Sequence, residues 1–300
     1  MTPIAGPNDR QLPVGDEIFL DHVGHFVRDI EAASRAFERA GFAPTPVSIQ
    51  SNPDPASGPP KLTGTGNVTV MFQRGYIEAL FKTADTPLGR QLDAGLARYP
   101  GVHLIAFSVA DAAAAHRRLA EQGFRVQPLV EMQRPVDTGG APGTAAFTLA
   151  RVEPGEMPEG RIQILTHHTE QMVWQPRWLE HPNGAFGLSG VWIAVDYAPD
   201  AARRFARFTG RAADPTSYGQ VIKLDRGGVG LFNPKSFALT FPDVPAPSLP
   251  FIGVYGIKVK SLGVVEDLVR RGGLEARRDD DRLYVVWPEE LGQGVWMFAD

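Results

Sequence analysis

Four stretches of the chain repeat one pattern of apolar and polar positions. They are residues 26–42 (FVRDIEAASRAFERAGF), 107–124 (FSVADAAAAHRRLAEQGF), 193–211 (IAVDYAPDAARRFARFTGR) and 257–274 (IKVKSLGVVEDLVRRGGL). Each opens as an apolar strand ending at a valine: Val27, Val109, Val195 or Val259. The sixth and tenth residues beyond those valines are Ala33 and Phe37, Ala115 and Leu119, Ala201 and Phe205, and Val265 and Val269. Residues four apart share a helix face, so each stretch predicts a helix with its apolar stripe at the same place. Gly41, Gly123, Gly210 and Gly273 follow where a helix C-cap belongs.

Strand-like segments follow each predicted helix. They are 68–73 and 76–82 around a turn at Arg74 and Gly75, 143–151 and 161–167, 220–225 and 229–233, and 282–287 and 294–299. The unit is β-α-β-β-β, four times over, an α+β architecture of small curved sheets with one helix on each outer face. Units one and two are expected to pair, as are three and four. The division is a tail over 1–17, a first half over 18–168, a connector over 169–187 and a second half over 188–300. Residues 84–100 include a predicted short helix over 88–98. Residues 43–66 read as a long loop, within which GTGN (64–67) turns the chain. Pro242, Pro245, Pro247 and Pro250 make 236–250 an extended linker.

Composition narrows the function. With 300 residues, 43% hydrophobic and 21% charged, the chain has apolar mass for real cores. The absence of cysteine removes disulfides, thiolate metal sites, Fe–S clusters and cysteine nucleophiles. A formal charge of −4 gives no electrostatic reason to expect nucleic acid or an anionic membrane as partner. The start MTPIAGPNDRQLPVG lacks the basic end and apolar core of a signal peptide. A soluble, cytoplasmic protein acting on a small molecule is expected, with a homodimer as the assembly to test.

Period-two alternation sorts the polar residues in the strands. In 161–168, Gln163, Leu165 and His167 share one face, opposite Ile162, Ile164 and His168. The isoleucines should face the helix, which leaves Gln163 and His167 for the cleft. His22 shares a face with Gly24 and Phe26, and Glu78 with Tyr76 and Leu80. His25 then belongs to the helix side as a core histidine, His116 to the solvated helix surface, and His168 to the connector. Trp174 and Trp178, with Arg177 and His181 beside them, either line a ligand pocket or staple the two halves together.

Several motifs resemble the vicinal oxygen chelate superfamily, which includes glyoxalase I, bleomycin-resistance proteins, methylmalonyl-CoA epimerase and extradiol dioxygenases. LDHVGHFVRDIEAASRAFERAGF (20–42) is similar to the first strand and helix of that fold. HVGHFV, GTGN, GYIEALF (75–81), GVHLIAFSV (101–109) and ILTHHTEQMVWQPRWLEHPNGA (164–185) resemble its glyoxalase-like branch. The resemblance implies paired modules around a cleft with a divalent metal held from the first and last strands of two modules. The implied metal positions are His22 and Glu78 in module one, and Leu104 and Gln163 in module two. His103 is one residue out of step, and a one-residue offset turns a strand side chain to the opposite face.

His22 and Glu78 are read as metal ligands or as an acid/base pair; a buried His–Glu hydrogen bond that holds the sheet is the plainer alternative. Glu78 and His167 are the candidates for moving a proton. Gln163, His168, Trp174 and Arg177 are the candidate ligand contacts, and His22, Glu78 and Gln163 the candidate metal ligands. All seven histidines lie between residues 22 and 181. The second half therefore reads as scaffold, lid or dimerisation partner. The expected function is a glyoxalase-like enzyme with lyase, isomerase or dioxygenase chemistry on a small oxygenated substrate. The alternative is a sequestering protein that binds its ligand without chemistry.

Overall fold

In the computed structural model, which describes residues 6–52, 61–140 and 142–300, the four repeats are four β-α-β-β-β modules. Module one comprises β1 (Ile18–Phe26), α1 (Ile30–Arg39), β2 (Ser48–Asn52), β3 (Lys61–Met71) and β4 (Tyr76–Lys82). Helix α2 (Pro87–Arg98) leads into module two: β5 (Gly101–Val109), α3 (Ala112–Glu121), β6 (Val130–Val136), β7 (Gly143–Arg151) and β8 (Arg161–His167). After the short α4 (Glu170–Val173), module three runs through β9 (Ala185–Ala194), α5 (Ala198–Thr209), β10 (Ala213–Pro215), β11 (Gln220–Lys223) and β12 (Gly228–Phe232). Helix α6 (Pro234–Thr240) precedes module four: β13 (Phe251–Val259), α7 (Leu262–Arg271), β14 (Ala276–Asp279), β15 (Arg282–Val286) and β16 (Val295–Ala299).

The module helices begin and face as their sequences dictate. Asp29 accepts a hydrogen bond from the Ala32 N–H, Asp111 from Ala113 and Ala114, and Ser261 from Val264, satisfying amide groups that the first helical turn leaves free. Helix α5 has proline in its first turn instead, and ends at Gly210 with φ +71°. All eight stripe residues, from Ala33 and Phe37 to Val265 and Val269, are buried.

In every module the first strand runs parallel to the last. First strands then pair antiparallel, β1 with β5 and β9 with β13. Modules one and two thus form one half, and three and four the other. Ile252 on β13 pairs with Val102 on β5, which joins the halves into a 16-stranded sheet. Phe37 of α1, Leu119 of α3, Phe205 of α5 and Val269 of α7 belong to one continuous apolar cluster. The helix sides of both halves therefore share a single core, and each half keeps a separate concave face.

The two concave faces differ. In the second half, Phe237 and Phe241 of the α6 region pack with Val254, Tyr284 and Met297. They fill the cleft that modules three and four would otherwise enclose. The sequence expectation of an extended linker over 236–250 is corrected at its start, where α6 reaches Thr240. The long loop expected over 43–66 contains β2 and the beginning of β3, and its middle, 53–60, lies outside the described residues. GTGN is not a turn but lies within β3. No helix among the described residues is long and apolar enough to cross a membrane.

Candidate active site

The cleft of the first half holds a cavity of about 410 Å³. Its walls come from alternate residues of strands in both modules: His22 on β1, Tyr76, Glu78 and Leu80 on β4, Leu104 on β5, and Arg161, Gln163 and Leu165 on β8. A smaller lobe of about 290 Å³ adjoins it and shares Tyr76, Glu78, Arg134 and Phe147. Glu78 stands at the junction of the two.

A break in strand register builds the base of this cleft. The pairing of β1 with β5 slips between Leu20 and His22, so Asp21 is the extra residue of a β-bulge. Leu20 and Val23 both enter the apolar core, while Asp21 and His22 are bonded to each other on the other side. The bulged Asp21 carbonyl lies against Gly75, whose φ is +80° and where a Cβ would come within 2.6 Å of that oxygen. Only glycine suits both the turn and the approach.

Asp21 is fully buried and bridges two imidazoles. Its Oδ1 is 2.7 Å from His22 Nδ1, and its Oδ2 is 3.0 Å from His167 Nε2. Burial opposes the charged carboxylate, but His167 and His22 outweigh it and hold Asp21 well below the usual carboxylate range. An ionised Asp21 only accepts, so each of these ring nitrogens carries a hydrogen. His22 is thereby left with Nε2 facing the cavity, 3.9 Å from Glu78 Oε2. The ring also stacks on Tyr76, with centroids 4.3 Å apart.

Glu78 is oriented as firmly. Asn67 Nδ2 donates to its Oε1 at 2.5 Å, and Gln50 Nε2 approaches the same atom at 3.5 Å. Gln50 is itself fixed by the Thr65 hydroxyl at 2.7 Å. The second carboxylate oxygen remains for His22 and the cavity.

The remaining predicted residues separate. Gln163 lines the cavity, and its Oε1 accepts from Arg151 Nε at 3.0 Å. His167 stands behind Asp21 with Nδ1 lacking a partner, flanked by Phe147 and Trp174 rather than lining the cavity. His168 bonds the Thr148 hydroxyl at 2.7 Å, away from the cavity. Trp174 packs on Tyr76 and His167 beneath the cleft and does not bridge the halves. Arg177 lines the smaller lobe, stacked 4.8 Å from the Trp178 ring.

His181 and Asn183 tie the connector to module one. His181 accepts from the Ala43 N–H and donates to the Met71 carbonyl, and Asn183 donates to the Ala40 carbonyl. His25 is buried against Phe37, Tyr255 and Trp287, bonded to the Leu291 carbonyl and the Tyr255 hydroxyl. His116 bonds the Gln127 carbonyl. His103 bonds the Tyr99 carbonyl and lines a different cavity, beside Arg98.

Sequence reasoning missed Asp21, Asn67 and the arginines. Alternation assigns Asp21 to the face opposite His22; the only hint of a bulge is that Leu20 and Val23, three apart, must both be core. Arg161 shares its strand face with Gln163, so its signal lay in the same period-two pattern.

The donor set does not suit a divalent ion. Register makes Glu78, Gln163, Gly230 and Met297 equivalent positions of the four modules, since they pair with Gly24, Ala106, Trp192 and Gly256. Only the first is a carboxylate. The module-two equivalent of His22, five residues before the strand-ending valine, is Leu104, and the oxygen of Gln163 is engaged by a guanidinium. Two donors remain, beside Arg134, Arg151 and Arg161 in the same wall. Among the described residues no group of three His, Asp or Glu side chains is placed to hold a metal.

Paired β-α-β-β-β modules around a polar cleft define a glyoxalase/dioxygenase-type fold. The sequence profile described as "Glyoxalase-like domain" matches residues 20–209, the cleft-bearing half and the beginning of module three. The chain belongs to that family. Among solved structures it is similar to a hypothetical protein from Staphylococcus aureus, at 11% identity and TM-score 0.62, covering 94% of this chain and 98% of that one. It is also similar to a mutant of 4-hydroxymandelate synthase from Streptomyces coelicolor, at 15% identity and TM-score 0.60, covering 94% and 92%. A fusion of a xylose isomerase-like TIM barrel with 4-hydroxyphenylpyruvate dioxygenase matches at 11% identity and TM-score 0.56, over 99% of this chain and 51% of that one. Comparison with curated protein sequences gives no match.

Proposed function

We propose that the protein is an enzyme of the glyoxalase-like type that moves a proton at a carbon next to a carbonyl of a small oxygenated substrate. The observation that carries this is the pair formed by His22 Nε2 and Glu78 Oε2, 3.9 Å apart in the cavity wall. Asp21 keeps a hydrogen on His22 Nδ1, so the facing Nε2 and the Glu78 oxygen are two basic atoms with room for one proton between them. Such a pair suits general acid/base work.

Glu78 Oε2 takes the proton from carbon, and the C–H electron pair moves into the carbonyl. Protonated His22 gives its Nε2 hydrogen to the carbonyl oxygen, which yields a neutral enol. Delivery of the Glu78 proton back to the same carbon, with the enol O–H proton returning to His22, restores the substrate. In an enediol, its delivery to the former carbonyl carbon, with the neighbouring hydroxyl giving its proton to His22, completes an isomerisation. The adjacent Asp21 carboxylate stabilises the imidazolium through Nδ1–H. His167 is a positioning residue in this scheme and acts through Asp21. No step needs a metal ion, in keeping with the donor set.

The test is solvent exchange, which requires no knowledge of the product. Wild type incubated in D2O with a panel of 2-hydroxy ketones, 2-hydroxy aldehydes and 2-oxo acids is followed by proton NMR. Exchange of the C–H beside the carbonyl is expected for at least one member, falling about 100-fold or more in Glu78→Gln. Equal exchange in wild type and Glu78→Gln would overturn the assignment.

A binding-only reading draws on the smaller lobe, where Arg177 and Trp178 offer a stacked cation and Glu78 is the one carboxylate shared with the main cavity. Ligand-induced thermal stabilisation without exchange by any panel member favours it.

A further inference from the structure

Three guanidiniums line the main cavity: Arg134 on β6, Arg151 at the end of β7 and Arg161 at the start of β8. Among the described residues none of them forms an ion pair with a carboxylate. Arg151 uses Nε on Gln163, and Arg134 has a buried Nε without a partner while its guanidinium lies 5.3 Å from the Phe147 ring centre. Arg161 is held near Arg151, and burial with that neighbour pushes it down to about 9, although the Glu78 charge works the other way. Neighbouring guanidiniums in one cavity wall, with no carboxylate paired to them among the described residues, are costly unless an anion joins them. Leu80, Leu104, Phe147, Leu149 and Leu165 add an apolar surface to the same cavity.

We propose that Arg151 and Arg161 form an anion subsite, and that the substrate is a small carboxylate with an apolar body. This rests on the proton-transfer reading only in calling the ligand a substrate. A guanidinium presents a planar fork of donors that matches a carboxylate. The leucines and Phe147 take the hydrocarbon part. Gln163, at the register position that is Glu78 in module one, orients Arg151 instead of adding a second negative charge. A monoanion fits this wall better than a dianion, because Glu78 already faces the cavity.

Calorimetry with phenylacetate, the neutral isostere phenylacetamide, phenyl phosphate and inorganic phosphate tests the assignment. Phenylacetate is expected to bind wild type about tenfold or more tightly than the amide. That preference should vanish in Arg161→Gln and in Arg151→Gln, two variants whose thermal midpoints report whether each still folds. Glu78→Gln should keep the preference while losing exchange. Equal binding of acid and amide overturns the subsite, as does a preference that survives both arginine variants. Tight phenyl phosphate binding with no phenylacetate binding overturns the carboxylate class. Exchange confined to neutral ketones sinks this inference and spares the proton-transfer reading. Carboxylate binding without exchange of any panel member does the reverse.

Discussion

Asp21 and His167 meet at 3.0 Å beneath the cleft, from the first strand of module one and the last strand of module two. The same carboxylate holds His22 at 2.7 Å, so one buried charge links both modules to the cavity. Asp21→Asn keeps the volume and one acceptor but loses the charge. Its cost should be about 1.5–3 kcal/mol, the range for hydrogen bonds to a charged group, here a buried one. Because the folded-state pKa of Asp21 is depressed, its contribution is present above the unfolded pKa of about 4 and is lost as pH falls below it. Urea unfolding at pH 7 and at pH 3 should find the gap between wild type and Asp21→Asn narrower at pH 3. A gap that widens in acid contradicts the charged assignment.

His25 and His103 govern a different window. Burial lowers both to about 4, from the usual 6.5. The unfolded chain therefore binds protons that the fold refuses, and stability falls as pH drops from about 6.5 to 4. Each group should account for on the order of 3 kcal/mol over that interval. In His25→Gln the decline should be shallower by about one such share. Parallel slopes for wild type and variant between pH 6.5 and 4 would remove His25 from the account.

The filled second cleft predicts a separation of stability from function. Phe237 is buried among Phe241, Phe251 and Val254, on the opposite half from the candidate site. Phe237→Ala should cost about 3–5 kcal/mol by opening a cavity there. Carboxylate affinity and exchange rate per folded molecule should stay within about twofold, since buried sites without shared partners act independently. A large loss of either, at a temperature where the variant is folded, would give the second half a direct part in the site.

Most of the architecture was legible because it is repeated. The stripe pairs Ala33/Phe37 through Val265/Val269 recur at one register, and helix packing in every module depends on the same two positions. The family resemblance pointed to His22, Glu78 and Gln163, and alternation, which holds wherever a strand is regular, sorted the strand faces they lie on. Asp21 was not, because a bulge suspends alternation where the cleft is anchored. Asn67 was hidden by its glycines: Gly64 has φ +92° and Gly66 has no room for a Cβ beside Phe81, so GTGN resembles a turn yet runs as strand. Helix α6 was hidden by the prolines that follow it, although Phe237 and Phe241, four apart, are a helical pair.

Leu104 and Gln163 stand where module two would complete a metal site, and replacing both tests the count of donors. Structural and catalytic zinc sites, whose ligands Co(II) also takes, use at least three protein ligands. Wild type has His22 and Glu78 facing the cavity, with a guanidinium engaging Gln163. After dialysis against chelator and addition of Co(II), wild type should bind less than stoichiometrically at micromolar metal. The double variant Leu104→His, Gln163→Glu should bind one equivalent, with the visible absorption of a nitrogen- and oxygen-ligated Co(II) centre, because it would bring the cavity to four donors. The added carboxylate also offsets the charge of Arg151 and Arg161, which otherwise repel a cation. Adding His22→Ala to the double variant should then reduce the bound metal. Stoichiometric Co(II) on wild type, lost in His22→Ala, would return the site to metal chemistry and replace the acid/base pair with two ligands.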